Sequence, residues 1–195
     1  MRILFALALT TVVASITPGQ RPNIILVMAD DQGWGDVGYN GHPFVQTPEL
    51  DAMAEEGFVF DRFYAAAPVC SPTRAALLTG RNHHQAGAGA IPELSTGYPG
   101  YDFTLTKDKA TIGRILKGHG YVTSWFGKNH NTPDLQVSKI GPYDQWPIGL
   151  GFDYFYGFMG GDTSQWQPGN LVRNTTYIYP FDDDPDFNLV TAMAD

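Results

Sequence analysis

Cysteine, basic residues and long apolar runs are all scarce in this chain of 195 residues. Cys70 is the only cysteine, which excludes an intrachain disulfide. Twelve Lys and Arg against twenty Asp and Glu give a net charge of −8 and leave no basic stripe to neutralise phosphates, which argues against nucleic-acid binding. The 43% hydrophobic and 13% aromatic content is too high for a disordered chain and predicts one domain with a packed core.

The first residues have the pattern of a secretory signal. A positive charge at Arg2 precedes an apolar run from Ile3 to Ile16, which is shorter than the ~20 residues needed to span a bilayer. We interpret residues 1–19 as a signal peptide and predict export, to the periplasm or extracellular space, or along the lysosomal and secretory route in a eukaryote. An N-terminal anchor and a first core strand are the alternatives. An unpaired cysteine is unusual in an oxidising compartment unless it is used or modified, so Cys70 needs an explanation.

Segments typical of strands and of helices alternate along the chain. The predicted strands are Asn23–Met28, Phe58–Tyr64 and Tyr121–Phe126, and the predicted helices follow Thr47, Ser71 and Thr111 and end near Gly57, Gly80 and Gly118. This alternation favours a three-layer α/β fold with a largely parallel central sheet. Residues 133–185 are rich in Gly, Pro, Trp, Tyr and Asp, and we expect short strands and an elaborated surface there. A further helix begins after Asn188.

Two polar clusters follow predicted strands. Asp30 and Asp31 come after the first strand, and Lys128 and His130 come after the third. Ligands bind beyond the carboxyl ends of the strands in sheets of this kind. Paired carboxylates suit hard cations such as Ca²⁺ and Mg²⁺, although a solvated loop or a helix cap explains a bare Asp-Asp pair equally well. Lys128 and His130 offer a cation and a titratable donor, with ordinary loop residues as the alternative.

Cys70 stands just before a predicted helix. The free N–H groups and the positive dipole end of a helix N-terminus favour negative charge, and Arg74 lies one turn inside. A small buried hydrophobe is the alternative interpretation of a lone cysteine. Taken together, the polar clusters and Cys70 describe a site for an oxyanion, of the kind that transfers a sulfuryl or phosphoryl group. The residue pattern does not distinguish sulfur from phosphorus.

Residues 68–81 resemble the signature of the type I, formylglycine-dependent sulfatases. The core of that signature is Cys-x-Pro-x-Arg, here at Cys70, Pro72 and Arg74, followed by Leu-Thr-Gly-Arg. The resemblance extends over essentially the whole chain after the predicted signal peptide, including residues 22–31, 120–130 and 151–158. The last of these segments looks most like the arylsulfatase branch. The resemblance implies an alkaline-phosphatase/sulfatase-like fold and the hydrolysis of sulfate esters of small molecules or carbohydrates.

The resemblance also implies a role for each site residue. The metal ligands would be Asp30, Asp31 and Cys70, and the catalytic residues Cys70, Arg74, Lys128 and His130. The metal would be Ca²⁺, with Mg²⁺ as the alternative. A formylglycine-generating enzyme would oxidise Cys70 to formylglycine, whose hydrate attacks sulfur with one hydroxyl and expels sulfate with the other. Arg74 would hold the hydrated side chain, Lys128 would bind sulfate and His130 would hydrogen-bond a formylglycine hydroxyl.

The chain also departs from the pattern of the family. Asn129 stands where an aromatic residue is usual, and Phe126 where a smaller one is usual. Sulfatases of this kind are typically more than twice as long, so we expect residues 20–195 to be the N-terminal part of a catalytic domain, incomplete at the C-terminus. We expect this part alone to bind metal weakly and to be inactive. The alternative functions are a phosphatase or phosphonate monoester hydrolase on the same fold, and an inactive oxyanion-binding relative.

Overall fold

The structure, a computed structural model, describes residues 21–195, so the predicted signal peptide at residues 1–19 lies outside the described residues. The chain divides into a unit that ends at Gln32 and a unit that spans Gly33–Asp195. In the first unit, residues 21–29 have no regular secondary structure, and the predicted strand Asn23–Met28 is not formed. Residues 23–27 are exposed, Ile25 by 87%. A strand requires a neighbour that completes its backbone hydrogen bonds, and an apolar run alone does not supply one.

Four α-helices occupy the second unit. They are α1 (Pro48–Glu56), α2 (Cys70–Thr79), α3 (Ile112–Gly118) and α4 (Leu189–Ala194). These confirm the predicted helices, with α2 beginning at Cys70 itself. The Thr111 hydroxyl accepts a hydrogen bond from the Arg114 amide and caps α3, and Gly80 ends α2 in the left-handed conformation with φ 64°. None of the helices in residues 21–195 is long and apolar enough to cross a membrane.

The second unit contains a sheet of four strands in sequential order. They are β1 (Ser124–Lys128), β2 (Tyr154–Phe158), β3 (Leu171–Arg173) and β4 (Thr176–Tyr177). β1 and β2 are parallel, whereas the β2–β3 and β3–β4 pairs are antiparallel, so the sheet is only partly parallel rather than largely so. The third predicted strand forms, shifted toward the C-terminus by three residues at its start. The short strands expected within residues 133–185 are β2 to β4.

The predicted strand Phe58–Tyr64 is wrong, because the chain turns at Asp61 and Arg62 instead of continuing in an extended conformation. Its aromatic side chains are exposed, Phe58 by 94% and Phe63 by 85%. The aromatic and apolar content of the segment indicated a strand, but a strand assignment also depends on pairing that the local sequence does not encode.

The two central strands approach each other closely at a pair of glycines. Gly127 of β1 and Gly157 of β2 are register partners. A Cβ atom at Gly157 would lie 1.9 Å from the Gly127 carbonyl oxygen, so only glycine fits there. The close approach draws the end of β1, and with it Lys128, against β2.

Apolar side chains pack on both faces of β2. One cluster contains Tyr156, Phe158, Leu171, Phe187 and Leu189. The other contains Trp146, Phe155, Met159 and Val172. A strand covered on both faces is a rigid support, and the segment that follows β1 runs along its end, with the Asn129 amide donating to the Phe158 carbonyl at 2.9 Å.

Candidate active site

Two buried hydrogen bonds join the start of α2 to the end of β1. The Arg74 guanidinium donates to the Lys128 carbonyl oxygen at 2.8 Å, and the Asn131 side-chain amide donates to the Ser71 carbonyl oxygen at 3.1 Å. Arg74 is 6% exposed and Asn131 is 2% exposed, so both bonds are shielded from water. Hydrogen bonds of this kind hold the first turn of α2 at a fixed distance from the β1 terminus.

Cys70 lies at this junction as the first residue of α2. The Lys128 ammonium donates a hydrogen bond to the Cys70 sulfur at 3.2 Å. Val69 precedes Cys70 in an extended conformation, and its carbonyl accepts from the Thr73 amide at 3.3 Å. A nucleophile position beside an ammonium group and a helix N-terminus favours the accumulation of negative charge.

His130 lies two residues after Lys128. Its backbone has φ 51°, in the left-handed region that residues other than glycine seldom adopt. Its Nε2 atom is 3.0 Å and 3.1 Å from the two carboxylate oxygens of Glu93. A Cβ atom at Gly161 would lie 2.7 Å from the His130 Cε1 atom, so Gly161 packs against the ring. The imidazole is therefore held both by a carboxylate and by close packing.

The environment of His130 favours the neutral imidazole. Burial lowers the pKa of His130 below its ordinary value of 6.5, the Glu93 carboxylate raises it, and the charges of Lys128 and Arg74 lower it again. The lowering of the pKa prevails and favours the neutral ring, whose contact with Glu93 is a hydrogen bond to a carboxylate. A neutral histidine can accept a proton, as a general base must.

The loop after β1 is polar and buried. The side-chain amide of Asn129 donates to the Thr132 hydroxyl at 2.7 Å, and that hydroxyl donates to the backbone carbonyl of Gln145 at 3.0 Å. The Gln145 side-chain oxygen accepts from the Leu105 amide at 2.9 Å. Asn129, which stands where an aromatic residue is usual in the family, is 0% exposed and is held in the buried loop by a hydrogen bond from its side chain.

Four of the residues that the sequence singled out lie together within the second unit. Cys70, Arg74, Lys128 and His130 lie at one junction of the second unit. Asp30 and Asp31 belong to the first unit, where both are exposed and Asp31 has φ 58°.

Two residues that the sequence analysis did not single out contribute to this junction. Asn131 stands in the same short run as Lys128 and His130, and its proximity to them was the available signal. Glu93 is 37 residues from its partner and lies in a one-turn 3₁₀ helix, Pro92–Leu94, so no local pattern marks it.

A comparison with protein families matches residues 22–191 to the family described as Sulfatase. The chain is 40% identical to human Arylsulfatase D over 154 residues, which cover 76% of this chain and 25% of that protein. It is 40% identical to mouse N-acetylgalactosamine-6-sulfatase over 157 residues, which cover 74% of this chain and 28% of that protein. The chain thus spans about a quarter of the length of these relatives.

Two solved structures also superpose on this chain. Ps i-CgsB in complex with k-i-k-neocarrahexaose superposes with a TM-score of 0.70 at 31% identity, covering 89% of this chain and 39% of the other. A Bacteroides thetaiotaomicron structure described under the metabolism of multiple glycosaminoglycans superposes with a TM-score of 0.64 at 31% identity, covering 82% of this chain and 32% of the other. The expected α/β fold of the sulfatases is confirmed by these superpositions, and the chain belongs to the sulfatase family.

Proposed function

We propose that the protein hydrolyses sulfate esters and that Cys70, converted to formylglycine, supplies the nucleophile. The observation that carries this proposal is the placement of Cys70 at the start of α2 with the Lys128 ammonium 3.2 Å from its sulfur, in a chain that belongs to the sulfatase family. The sulfur marks where the side-chain oxygens of the hydrated aldehyde would lie. A geminal diol suits this chemistry, because the second hydroxyl expels the sulfate that the first has captured.

The residues around Cys70 divide the work of binding and proton transfer. Lys128 attracts the sulfate oxygens and stabilises negative charge as the ester bond breaks. Arg74 holds the side chain at position 70 in place from one turn further along α2, and its bond to the Lys128 carbonyl ties its guanidinium to the backbone of Lys128. His130, neutral and buried, accepts a proton from a hydroxyl at position 70.

We extend the proposal to a divalent cation held by Asp30, Asp31 and the oxygen derived from Cys70. The two carboxylates are adjacent and exposed, and they offer the oxygen atoms that Ca²⁺ prefers and that Mg²⁺ also accepts. When bound, the cation would polarise the sulfate and withdraw charge from the bond that breaks. The first measurement is calorimetric titration with each metal, with the double variant Asp30→Asn/Asp31→Asn expected to lose the binding.

The substrate that the comparisons favour is a carbohydrate sulfate ester. One similar structure holds an oligosaccharide, k-i-k-neocarrahexaose, and one relative is named for N-acetylgalactosamine 6-sulfate chemistry. We also propose that residues 1–19 direct export and that residues 20–195 form the N-terminal part of a catalytic domain. A formylglycine-generating enzyme is then the partner that must act on Cys70.

The test is co-expression of the intact gene product with a formylglycine-generating enzyme. Mass spectrometry of the peptide that contains Cys70 should show replacement of the thiol by an aldehyde, and the protein should release sulfate from aryl or carbohydrate sulfates. Lys128→Ala should lower kcat/KM on the order of 100-fold or more, whereas Lys107→Ala, an exposed lysine, should leave it unchanged. An aldehyde at position 70 with turnover of matched phosphate esters but not of sulfate esters would replace the proposal by the phosphatase alternative.

A further inference from the structure

One nitrogen of the His130 ring is hydrogen-bonded, and the other is buried without a hydrogen-bond partner among residues 21–195. Nε2 lies within hydrogen-bond distance of both Glu93 oxygens. Nδ1 is buried and has no hydrogen-bond partner among residues 21–195. A carboxylate accepts hydrogen bonds and donates none, so the proton of the neutral ring resides on Nε2 and Nδ1 carries the lone pair.

Glu93 is placed for this contact by its own backbone. The 3₁₀ turn around it is closed by the Leu94 amide, which donates to the Ile91 carbonyl at 3.0 Å, and by the Ser95 amide, which donates to the Pro92 carbonyl at 3.1 Å. Pro92 is buried, which anchors the turn, whereas the Glu93 side chain is 45% exposed and reaches the ring from the solvent side.

The backbone of His130 is equally constrained. Its amide donates to the Met159 carbonyl at 3.3 Å, just after β2, and its left-handed φ of 51° persists only where the surroundings impose it. Gly161 closes the remaining side of the ring, because any larger residue there would meet Cε1. The ring thus has one orientation, and only the position of its proton remains to be set.

We propose that Glu93 is a positioning residue for His130, which selects the Nε2–H tautomer and leaves Nδ1 as the proton acceptor for the reaction at position 70. This inference rests on the proposed function, because it states which nitrogen of His130 accepts the proton in that reaction. The charged groups near the ring are Glu93, Lys128 and Arg74. Among these, Glu93 alone favours protonation, so it also keeps His130 basic enough to accept a proton.

The test compares Glu93→Ala and Glu93→Gln with the unaltered intact protein, and Glu56→Ala serves as the matched control because Glu56 is exposed at the end of α1. Long-range ¹H–¹⁵N spectra of histidine-labelled protein report the tautomer and the titration of His130 directly. We expect Nε2–H in the unaltered protein, a mixture of tautomers in Glu93→Ala, and a lower pKa of His130 in both Glu93 variants. Glu56→Ala should leave the spectra unchanged.

Kinetics then link the tautomer to turnover. Glu93→Ala should lower kcat about 10–100-fold with KM within about twofold, which is the usual effect of losing a partner that orients a functional histidine. Glu93→Gln preserves the shape and an acceptor oxygen, and it should retain more of kcat than Glu93→Ala. The acidic limb of the kcat profile should move to lower pH in both variants, because a base with a lower pKa stays deprotonated to lower pH.

The spectra keep this inference separate from the proposed function. If the intact protein does not release sulfate, the tautomer measurement still decides whether Glu93 controls His130, while the proposed function fails by itself. An unchanged tautomer and titration of His130 in Glu93→Ala would overturn the inference. So would altered spectra accompanied by an unaltered kcat and pH profile in an active enzyme.

Discussion

The loop after β1 is polar and buried, whereas the run after α1 is aromatic and exposed. Asn129 and Asn131 are 0% and 2% exposed, while Phe58 and Phe63 are 94% and 85% exposed. The buried loop is stable because its amides find hydrogen-bond partners within the same unit, on Thr132 and Ser71. An apolar run is buried only when a second surface covers it, and large exposed apolar areas mark interaction surfaces. Buried polar side chains, rather than apolar ones, build the candidate site; their amide nitrogens are hydrogen-bonded, whereas the Asn129 and Asn131 side-chain oxygens have no hydrogen-bond partner among residues 21–195.

The largest expected effect concerns the glycine contact that supports the buried loop. Gly157→Ala would place a Cβ atom against the Gly127 carbonyl, and the forced separation of β1 from β2 should cost about 3 kcal/mol of unfolding free energy. Urea unfolding measures this loss. Gly97→Ala is the matched control, because a Cβ atom at Gly97 meets nothing within 4 Å, and an equal loss in both variants would contradict the close approach.

The next largest effect concerns the contribution of the buried Asn129 side-chain amide to the free energy of unfolding. Asn129→Ala removes the donor to Thr132 and leaves a cavity among buried polar groups, so it should lower the free energy of unfolding by about 2 kcal/mol. Urea denaturation again gives the value. Gln167→Ala, at an exposed position, should change stability by less than about 0.5 kcal/mol, and a similar change in both variants would remove the distinction between buried and exposed amides.

The exposed aromatic run should be far more tolerant. Phe63→Ser removes a large apolar side chain that makes no buried contact, so the free energy of unfolding should change by less than about 0.5 kcal/mol. A loss of stability as large as that of Asn129→Ala would show that the run is packed in solution.

The smallest effect is a pH dependence at the surface. The Lys117 ammonium bonds Asp153 at 2.5 Å, and this bond, with those from Thr123, lowers the pKa of Asp153 below 3.8. A carboxylate with a depressed pKa in the folded state contributes stability above its unfolded value, and this contribution is lost as pH falls through the lower, folded value. Asp153→Asn should therefore flatten the acid side of a plot of unfolding midpoint against pH. An unchanged slope would contradict the assignment.

Helices were easier to predict than strands because their signals are local. The Thr111 cap and the Gly80 terminus lie within the helices that they delimit, and both are formed as expected. Residues 23–28 are strongly apolar and residues 58–64 are rich in aromatic side chains, as β2 is, yet only β2 of these three segments is a strand, because pairing depends on residues far away in the sequence.

The residues of the candidate site also fall into those that a local motif identifies and one that only the fold reveals. Cys70 and Arg74 are one helical turn apart, and Lys128 and His130 are two residues apart, so short motifs identified them. Glu93 reaches His130 across 37 residues and carries no motif. The absence of an aromatic residue at position 129 was visible in the sequence, but the network through Thr132 and Gln145 that holds Asn129 required the fold.

The two bonds that assemble the site also set an order of events during folding. The Arg74–Lys128 and Ser71–Asn131 contacts join residues that are 54 and 60 positions apart, so at about 5–20 residues per second the second partner is synthesised seconds after the first. While the chain emerges and folds, α2 can therefore form before Lys128 arrives. During that interval Cys70 is reachable by another enzyme, and once the loops close, the buried Ser71, Pro72 and Arg74 withdraw the segment from any large partner.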